Sequence, residues 1–437
     1  MIAAIDKIAS EPIEQGKAAS CAVGVVKDGH LVLARGYGFA DLENDVPATA
    51  ETVYRLGSIT KQFTAMAIMQ LVEEGKLSVD DELTKFLPDY PTGGRKITVR
   101  HLLNHTSGIK DFTRTRDFNL AEKQHYSHDE MLALFKDEPF DFEPGAKWGY
   151  SNSGYYLLGM IIEKASGKKY EQFLQERIFK PLGMSTTRYG HSPTLIRHRA
   201  AGYKYFFGQL TNDAPISMDR PFAAGGLVST VLDLIKWHQA LEEGALLSSA
   251  SYEVMYRPTE LTGGVTRPYG FGWQLGDLAG HRVIRHGGGI NGFSTMIARY
   301  PDERLAVIVL SNTAGPFAAR AADRIARQIL GIDGEPNDRK SASDKPIVDE
   351  PLEAALADLL TGKFGLGDAE IEVSSSDGQL FAQVRGRPQD RLKYQGGRDF
   401  VHANDSGLRI TFTPKEGKAE QLQLDGGEYK IRGKRLD

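Results

Sequence analysis

Cysteine is nearly missing from this chain. Cys21 is the single one among 437 residues, so no intrachain disulfide can form and multi-cysteine metal sites are excluded. It lies in the apolar "ASCAVGVV", where a buried, inert thiol is expected rather than a reactive one. Long single-sign charge runs are missing too. The formal net charge is -4, and nothing in its distribution argues for nucleic acid or an anionic membrane as partner. No apolar run is long enough to span a bilayer. The start, "MIAAIDKIASEP", has no basic flank and no long apolar core, so it does not read as a signal peptide. A cytoplasmic location is expected as the sequence stands, or a periplasmic or secreted one if a leader has been removed. No Gly-x-Ser-x-Gly elbow occurs, which leaves an α/β-hydrolase arrangement without support.

What is present suits a folded globular protein: 41% hydrophobic and 25% charged residues. The length exceeds one ordinary core, so two domains are expected. "SCAVGVVKDGHLVLARGYGFAD" reads as two strands around an Asp28-Gly29 hairpin turn. "SGYYLLGMIIEKASG" and "STVLDLIKWHQALEEG" read as helices stopped by Gly167 and Gly244, the second with Thr230 and Asp233 at capping-box spacing. From 281 the pattern returns to strands, "HRVIRHGG", "FSTMIARY" and "RLAVIVLSN", and then to a helix with Ala318, Ala322, Ile325 and Ile329 on one face. These elements predict an α/β (α+β) fold: one antiparallel sheet built from both ends of residues 1–332, with a large helical insertion. Residues 333–350 are polar and rich in Gly, Pro, Ser and Asp, as in a linker. Residues 351–437 alternate with period two, as in Leu408, Ile410 and Phe412, and predict a small all-β sandwich or barrel.

Ser-x-x-Lys occurs three times: Ser58–Lys61, Ser107–Lys110 and Ser166–Lys169. The second has glycine inside it and no helix after it. The third lies where a helix ends. Only Ser58 heads an apolar helical run, "LGSITKQFTAMAIMQLVEEGK", in which residues i and i+3 are neighbours. A helix start also leaves backbone N–H groups without intrahelical partners, available to an oxyanion. On this segment alone, a helix cap and a solvated lysine explain the pattern as well. Two further segments bear on it. "EPGAKWGYSNSGYYLLG" carries Tyr150-Ser151-Asn152 before a helix, and "VIRHGGGINGF" carries His286-Gly287-Gly288-Gly289 at a strand end.

In this order the segments resemble the serine β-lactamase and penicillin-binding-protein superfamily, with its Ser-x-x-Lys, Tyr-x-Asn and Lys- or His-containing triad ending in Gly. "ITVRHLLNHTSGI", "AAGGLVSTVLDLIKW" and "YGFGW" add to the resemblance, which covers about residues 15–331. His286-x-Gly288 resembles the branch of D-aminopeptidases, class C type D-Ala-D-Ala carboxypeptidases and esterases. That branch often carries a lipocalin-like β-barrel after the catalytic domain, which the C-terminal segment fits. His101 and His105 are four apart but lack the glutamate of the zinc-protease motif. They lie in a structural family segment, and no metal or cofactor is expected.

The resemblance implies a role for each matching residue. Ser58 is the nucleophile that forms an acyl-enzyme. Lys61 or Tyr150 is the base for acylation, and Tyr150 protonates the leaving group. Asn152 orients Lys61 and holds the acyl side chain's amide. His286 donates to Tyr150 or to a substrate carboxylate and changes charge near neutrality. Gly288 and Gly289 let substrate lie along the strand, and the N–H of Gly289 joins that of Ser58 as an oxyanion donor. The expected function is a serine hydrolase acting on D-amino-acid amides or peptides, or on small esters. Weak β-lactamase or penicillin-binding activity and a silent binding scaffold are the alternatives. The expected partner is a small-molecule or short peptide substrate, and a homo-oligomer is left open.

Overall fold

A computed structural model describes all residues except 116–117, 119–124, 192, 335–346, 348, 367–368, 385–388, 404, 415, 426–429 and 437. Most of the expected linker 333–350 therefore lies outside the described residues. The chain forms two compact units: Met1–Lys204 with Thr211–Gly334, and Tyr205–Leu210 with Glu335–Asp437.

In the first unit the two ends of the segment meet in one antiparallel sheet. Its strands are β1 (Ser20–Lys27), β2 (His30–Asp41), β3 (Val46–Pro47), β4 (Gln274–Leu278), β5 (His281–Ile290), β6 (Phe293–Tyr300) and β7 (Leu305–Ser311), in the spatial order β4-β5-β6-β7-β1-β2-β3. Cys21 pairs with Ser311 and Lys27 with Leu305, so β1 lies inside the sheet between β7 and β2. Both faces are covered, which explains why β1 and β7 read as almost unbroken apolar runs. On one face Val23, Val25, Val307 and Val309 bury against α1 (Ile2–Glu14) and a C-terminal helix at Phe317–Leu330. On the other, Ala22, Val26, Ile308 and Leu310 join the core of the helical insertion. Helix α1 was not foreseen, although Ile5, Ile8 and Ala9 lie on one helical face and are buried.

The insertion supplies the helices that carry the polar motifs. The segment after Ser58 is α2 (Thr60–Glu73), preceded by a single tighter turn at Gly57–Ile59. A short helix, α3 (Val99–Leu103), leads into the His-Thr-Ser-Gly segment. Helix α4 (Asn152–Ser166) starts on the Ser151 side chain, which accepts from Gly154 N–H, and stops at Gly167 in a left-handed conformation. Helix α5 (Val231–Glu243) starts on Thr230 and stops at Gly244. Its capping box is only half formed. Thr230 Oγ1 accepts from Asp233 N–H at 3.2 Å, but the Asp233 carboxylate accepts from Thr186 and Thr187 instead.

The second unit is a closed antiparallel barrel of eight strands between Gly362 and Arg435. Its inward positions are the alternating residues read from the sequence. Phe364, Phe400, Leu408, Ile410 and Phe412 are buried in one cluster. Among the described residues, no helix is long and apolar enough to cross a membrane.

Candidate active site

The turn bearing Ser58 is held by backbone on both sides. Leu56 N–H donates to Leu227 O at 2.9 Å, and Leu56 O accepts from Thr295 Oγ1 of β6 at 2.7 Å. Gly57 has φ +53°, and a Cβ there would stand 3.0 Å from Gly289 N. The Ser58 turn thus lies directly on the glycine strand, with no side chain on Gly57 to hold the two apart. Gly288 makes the same demand from the other side: a Cβ would fall 1.9 Å from Leu56 O and 2.4 Å from Thr295 Oγ1. Neither residue flanking this turn start makes a side-chain cap. The half-exposed Ser58 faces Lys61 instead.

Lys61 is fully buried. Its Nζ lies 3.1 Å from Ser58 Oγ, 2.9 Å from Asn152 Oδ1 and 2.8 Å from Ala224 O. Burial pulls its pKa down to about 7, opposed by the negative charge of Asp111. Asp111 is buried and accepts from both the backbone N–H and the Nδ2 of Asn152, each at 3.2 Å. That pair fixes the Asn152 amide so that Oδ1 points at the lysine. Tyr150 is half-buried, hydrogen-bonds Ser58, and has its pKa raised by burial. Its ring lies 4.8 Å from Lys61 Nζ.

His286 departs from the expectation. Its Nδ1 lies 2.6 Å from Gly287 O and its Nε2 3.0 Å from Tyr269 Oη, so both nitrogens are engaged away from Tyr150. Burial and the nearby Lys61 charge push its pKa down to about 3. The imidazole is neutral at ordinary pH, and the expected charge change near neutrality is corrected. The structure brings Ser58, Lys61, Tyr150, Asn152, His286, Gly288 and Gly289 into one cleft. A cavity of about 340 Å³ beside them is lined by Tyr150, Gln274, the glycines of β5, Met296 and Ala319, among others. Strand β4 pairs only with residues up to Arg285, which leaves the edge of β5 from His286 onward free of it.

Four participants were not read from the sequence: Asp111, the Ala224 carbonyl, His105 and Tyr269. Ala224, His105 and Tyr269 fall inside quoted segments, "AAGGLVSTVLDLIKW", "ITVRHLLNHTSGI" and "YGFGW", but nothing local marks them as site residues. His101 and His105 part company: His101 Nδ1 accepts from Thr98 N–H at 3.2 Å, while His105 Nε2 meets Tyr269 Oη at 3.1 Å. Among the described residues, no group of three or more His, Cys, Asp or Glu could hold a metal ion.

A sheet with a helical insertion, and a buried lysine between a turn serine and an asparagine, define a β-lactamase-like serine hydrolase. The Beta-lactamase family profile matches residues 5–331, and the chain belongs to that family. Penicillin-binding protein 4* of Bacillus subtilis (strain 168) is 32% identical over 420 residues, which cover 92% of each chain. Among solved structures, the octameric penicillin-binding protein homologue from Pyrococcus abyssi matches with a TM-score of 0.65 and 26% identity over 99% of each chain. The D-amino acid amidase from Ochrobactrum anthropi SV3 matches with a TM-score of 0.68 and 27% identity, over 76% of this chain and 99% of that one.

Proposed function

We propose that the protein hydrolyses amides or esters that lack a terminal carboxylate, D-amino-acid amides among them, through an acyl-enzyme on Ser58. The observation that carries this reading is the surroundings of Lys61 Nζ. Asn152 Oδ1 and Ala224 O can only accept, so a neutral amine spends its two N–H bonds on them. Its lone pair is then left toward Ser58 Oγ, 3.1 Å away. With a pKa of about 7, roughly half of the lysines are in that form at neutral pH. Lys61 is therefore the base for acylation. The Ser58 proton passes to Nζ as the Oγ–C bond forms. The carbonyl oxygen gains the negative charge and takes the N–H groups of Ser58 and Gly289 as donors. When the carbon–leaving-group bond breaks, the leaving group takes a proton through the Tyr150 hydroxyl, and Lys61 replaces it. Water then repeats the sequence on the acyl-enzyme.

The cavity disfavours a substrate carboxylate. With His286 neutral, its lining side chains, from Gln274 and Tyr150 to Met296 and Ala319, carry no charge. A terminal carboxylate would find no cation among them. The test is incubation with a fluorophosphonate followed by intact mass. The wild type is expected to gain one adduct and Ser58→Ala none; a labelled Ser58→Ala would remove Ser58 as nucleophile. D-Ala p-nitroanilide and a short p-nitrophenyl ester are expected to turn over faster than acetyl-D-Ala-D-Ala. The reverse order would overturn the substrate class while leaving the nucleophile standing. The octameric relative supports a homo-oligomer here as well, which light scattering on the purified chain tests.

A further inference from the structure

A buried hydrogen-bond chain runs behind the cleft, and its two ends fix every proton along it. At one end Ser151 N–H can only donate, and it lies 3.1 Å from His105 Nδ1. His105 must therefore carry its proton on Nε2, which lies 3.1 Å from Tyr269 Oη. At the other end Gly287 O can only accept, 2.6 Å from His286 Nδ1. His286 therefore carries its proton on Nδ1, and its Nε2 needs a donor. Tyr269 Oη, 3.0 Å away, is the hydroxyl in reach. The acceptor in reach of the Tyr269 proton is His286 Nε2; Tyr155 nearby gives its own proton to Leu103 O at 2.7 Å. It offers His286 no second donor.

His105 also grips the segment that carries Tyr150. Its backbone O accepts from Gly149 N–H at 2.9 Å and its ring from Ser151 N–H, so both neighbours of Tyr150 are tied to one residue. The two rings lie 4.3 Å apart, tilted by 37°. His105 holds this place at φ +63°, a left-handed conformation uncommon for a side chain with Cβ. Local strain of this kind persists where surrounding contacts impose it.

We propose that Tyr269 and His105 are positioning residues of the reaction: the Tyr269 hydroxyl holds the His286 ring at Nε2, the nitrogen that its Nδ1–H tautomer leaves unprotonated, and, through His105, ties the Tyr150 segment to the glycine strand. Neither touches the reacting atoms. Among the described residues, Tyr269 is the one side chain bonded to both imidazoles, so it joins the proton donor in the helical layer to the oxyanion donors in the sheet. The groups facing the two rings are Lys61, Tyr150, Tyr155, Trp148 and Tyr269. No carboxylate is among them to favour an imidazolium. The proposal rests on the acyl-enzyme reading above, yet its first test does not need activity.

Nitrogen-15 spectra of histidine-labelled protein are expected to show His286 as the Nδ1–H tautomer and His105 as the Nε2–H tautomer, assigned by His286→Gln and His105→Asn. The opposite tautomer at either ring would overturn the proposal. In Tyr269→Phe, His286 is expected to keep the Nδ1–H tautomer that Gly287 O imposes and to lose the hydrogen bond at Nε2, seen as a shift of the Nε2 resonance. The turnover number is expected to fall roughly 10- to 100-fold with KM within about threefold, as for displaced reacting groups. A variant within twofold of wild type would overturn the positioning role. Should Tyr269→Phe fail to fold, His105→Asn serves. Asparagine tolerates positive φ and can still accept from Ser151 N–H, but it is too short to reach Tyr269. A similar loss of turnover is expected there, and wild-type turnover would overturn the link. Fluorophosphonate labelling of Ser58 is expected to persist in both variants. Its loss in the wild type would instead defeat the acyl-enzyme reading.

Discussion

Asp111 holds Asn152 twice, at the backbone N–H and at Nδ2, both 3.2 Å from the same carboxylate oxygen. Its other oxygen accepts from Thr113 N–H at 2.9 Å. The carboxylate is thus an orienting group, and its charge is also felt by Lys61. The two effects separate in Asp111→Asn. Loss of the charge removes what raises the Lys61 pKa, so more of the amine is neutral at a given pH. The acid limb of kcat/KM is expected to move to lower pH. The plateau is expected to fall by 10-fold or more, because the Asn152 amide is free to turn its Nδ2 toward Lys61. A pH profile that moves upward, or stays put, would remove Asp111 from the site's electrostatics.

In the wild type the same reasoning sets the pH dependence. In the proposed mechanism Lys61 must be neutral to take the Ser58 proton, and burial lowers its pKa to about 7. Activity is expected to rise with pH through that value and then level off. His286, at about 3, adds no step between pH 5 and 8. Tyr150 is raised above its ordinary value by burial, so no loss is expected on its account below the usual tyrosine range. The check is kcat/KM on an uncharged ester across pH 5–9.5. An activity that falls as pH rises through 7 would exclude a neutral lysine as base.

The neighbouring glycines 288 and 289 answer a substitution differently. A Cβ at Gly288 meets the Leu56 carbonyl at 1.9 Å, and Leu56 precedes the turn that bears Ser58. Backbone must shift, so Gly288→Ala is expected to lower Tm and reduce kcat by 100-fold or more. A Cβ at Gly289 meets nothing within 4 Å. Gly289→Ala is expected to fold with stability within about 0.5 kcal/mol of wild type, as surface changes do. Its methyl group narrows the cleft, so KM is expected to rise for bulky substrates more than for small esters. Equal damage from both substitutions would show that the turn does not rest on Gly288.

The contrast between these residues also explains what could be read in advance. Ser58, Lys61, Tyr150, Asn152 and His286 lie in short segments whose order identifies them, and the hairpin at Asp28-Gly29 and the stops at Gly167 and Gly244 follow from local backbone chemistry. Asp111, Tyr269 and the Ala224 carbonyl become site groups only through tertiary approach: Ala224 lies 163 positions from Lys61. His286 shows the limit from the other side. Its position was legible, but its charge was not, because burial and two hydrogen-bond partners decide that. The half-formed box at Thr230 is similar. Spacing foretold the cap, and the N–H groups of Thr186 and Thr187 claimed the Asp233 carboxylate.

The barrel interior is filled by aromatic rings rather than left open. Phe412 meets Phe364 at 5.8 Å and Phe400 at 5.7 Å, both edge to face, and all three are fully buried. Edge-to-face pairs add stability beyond the area they bury. Truncating the central ring removes both contacts and leaves a void that the closed strand ring cannot collapse to fill. Phe412→Ala is expected to cost about 3–5 kcal/mol, the range for a large buried aromatic. Hydrogen exchange followed by mass spectrometry would show it as faster exchange in peptides from residues 362–435. Unchanged protection there would mean that these rings do not hold the barrel together, and that its stability lies in the strand pairing alone.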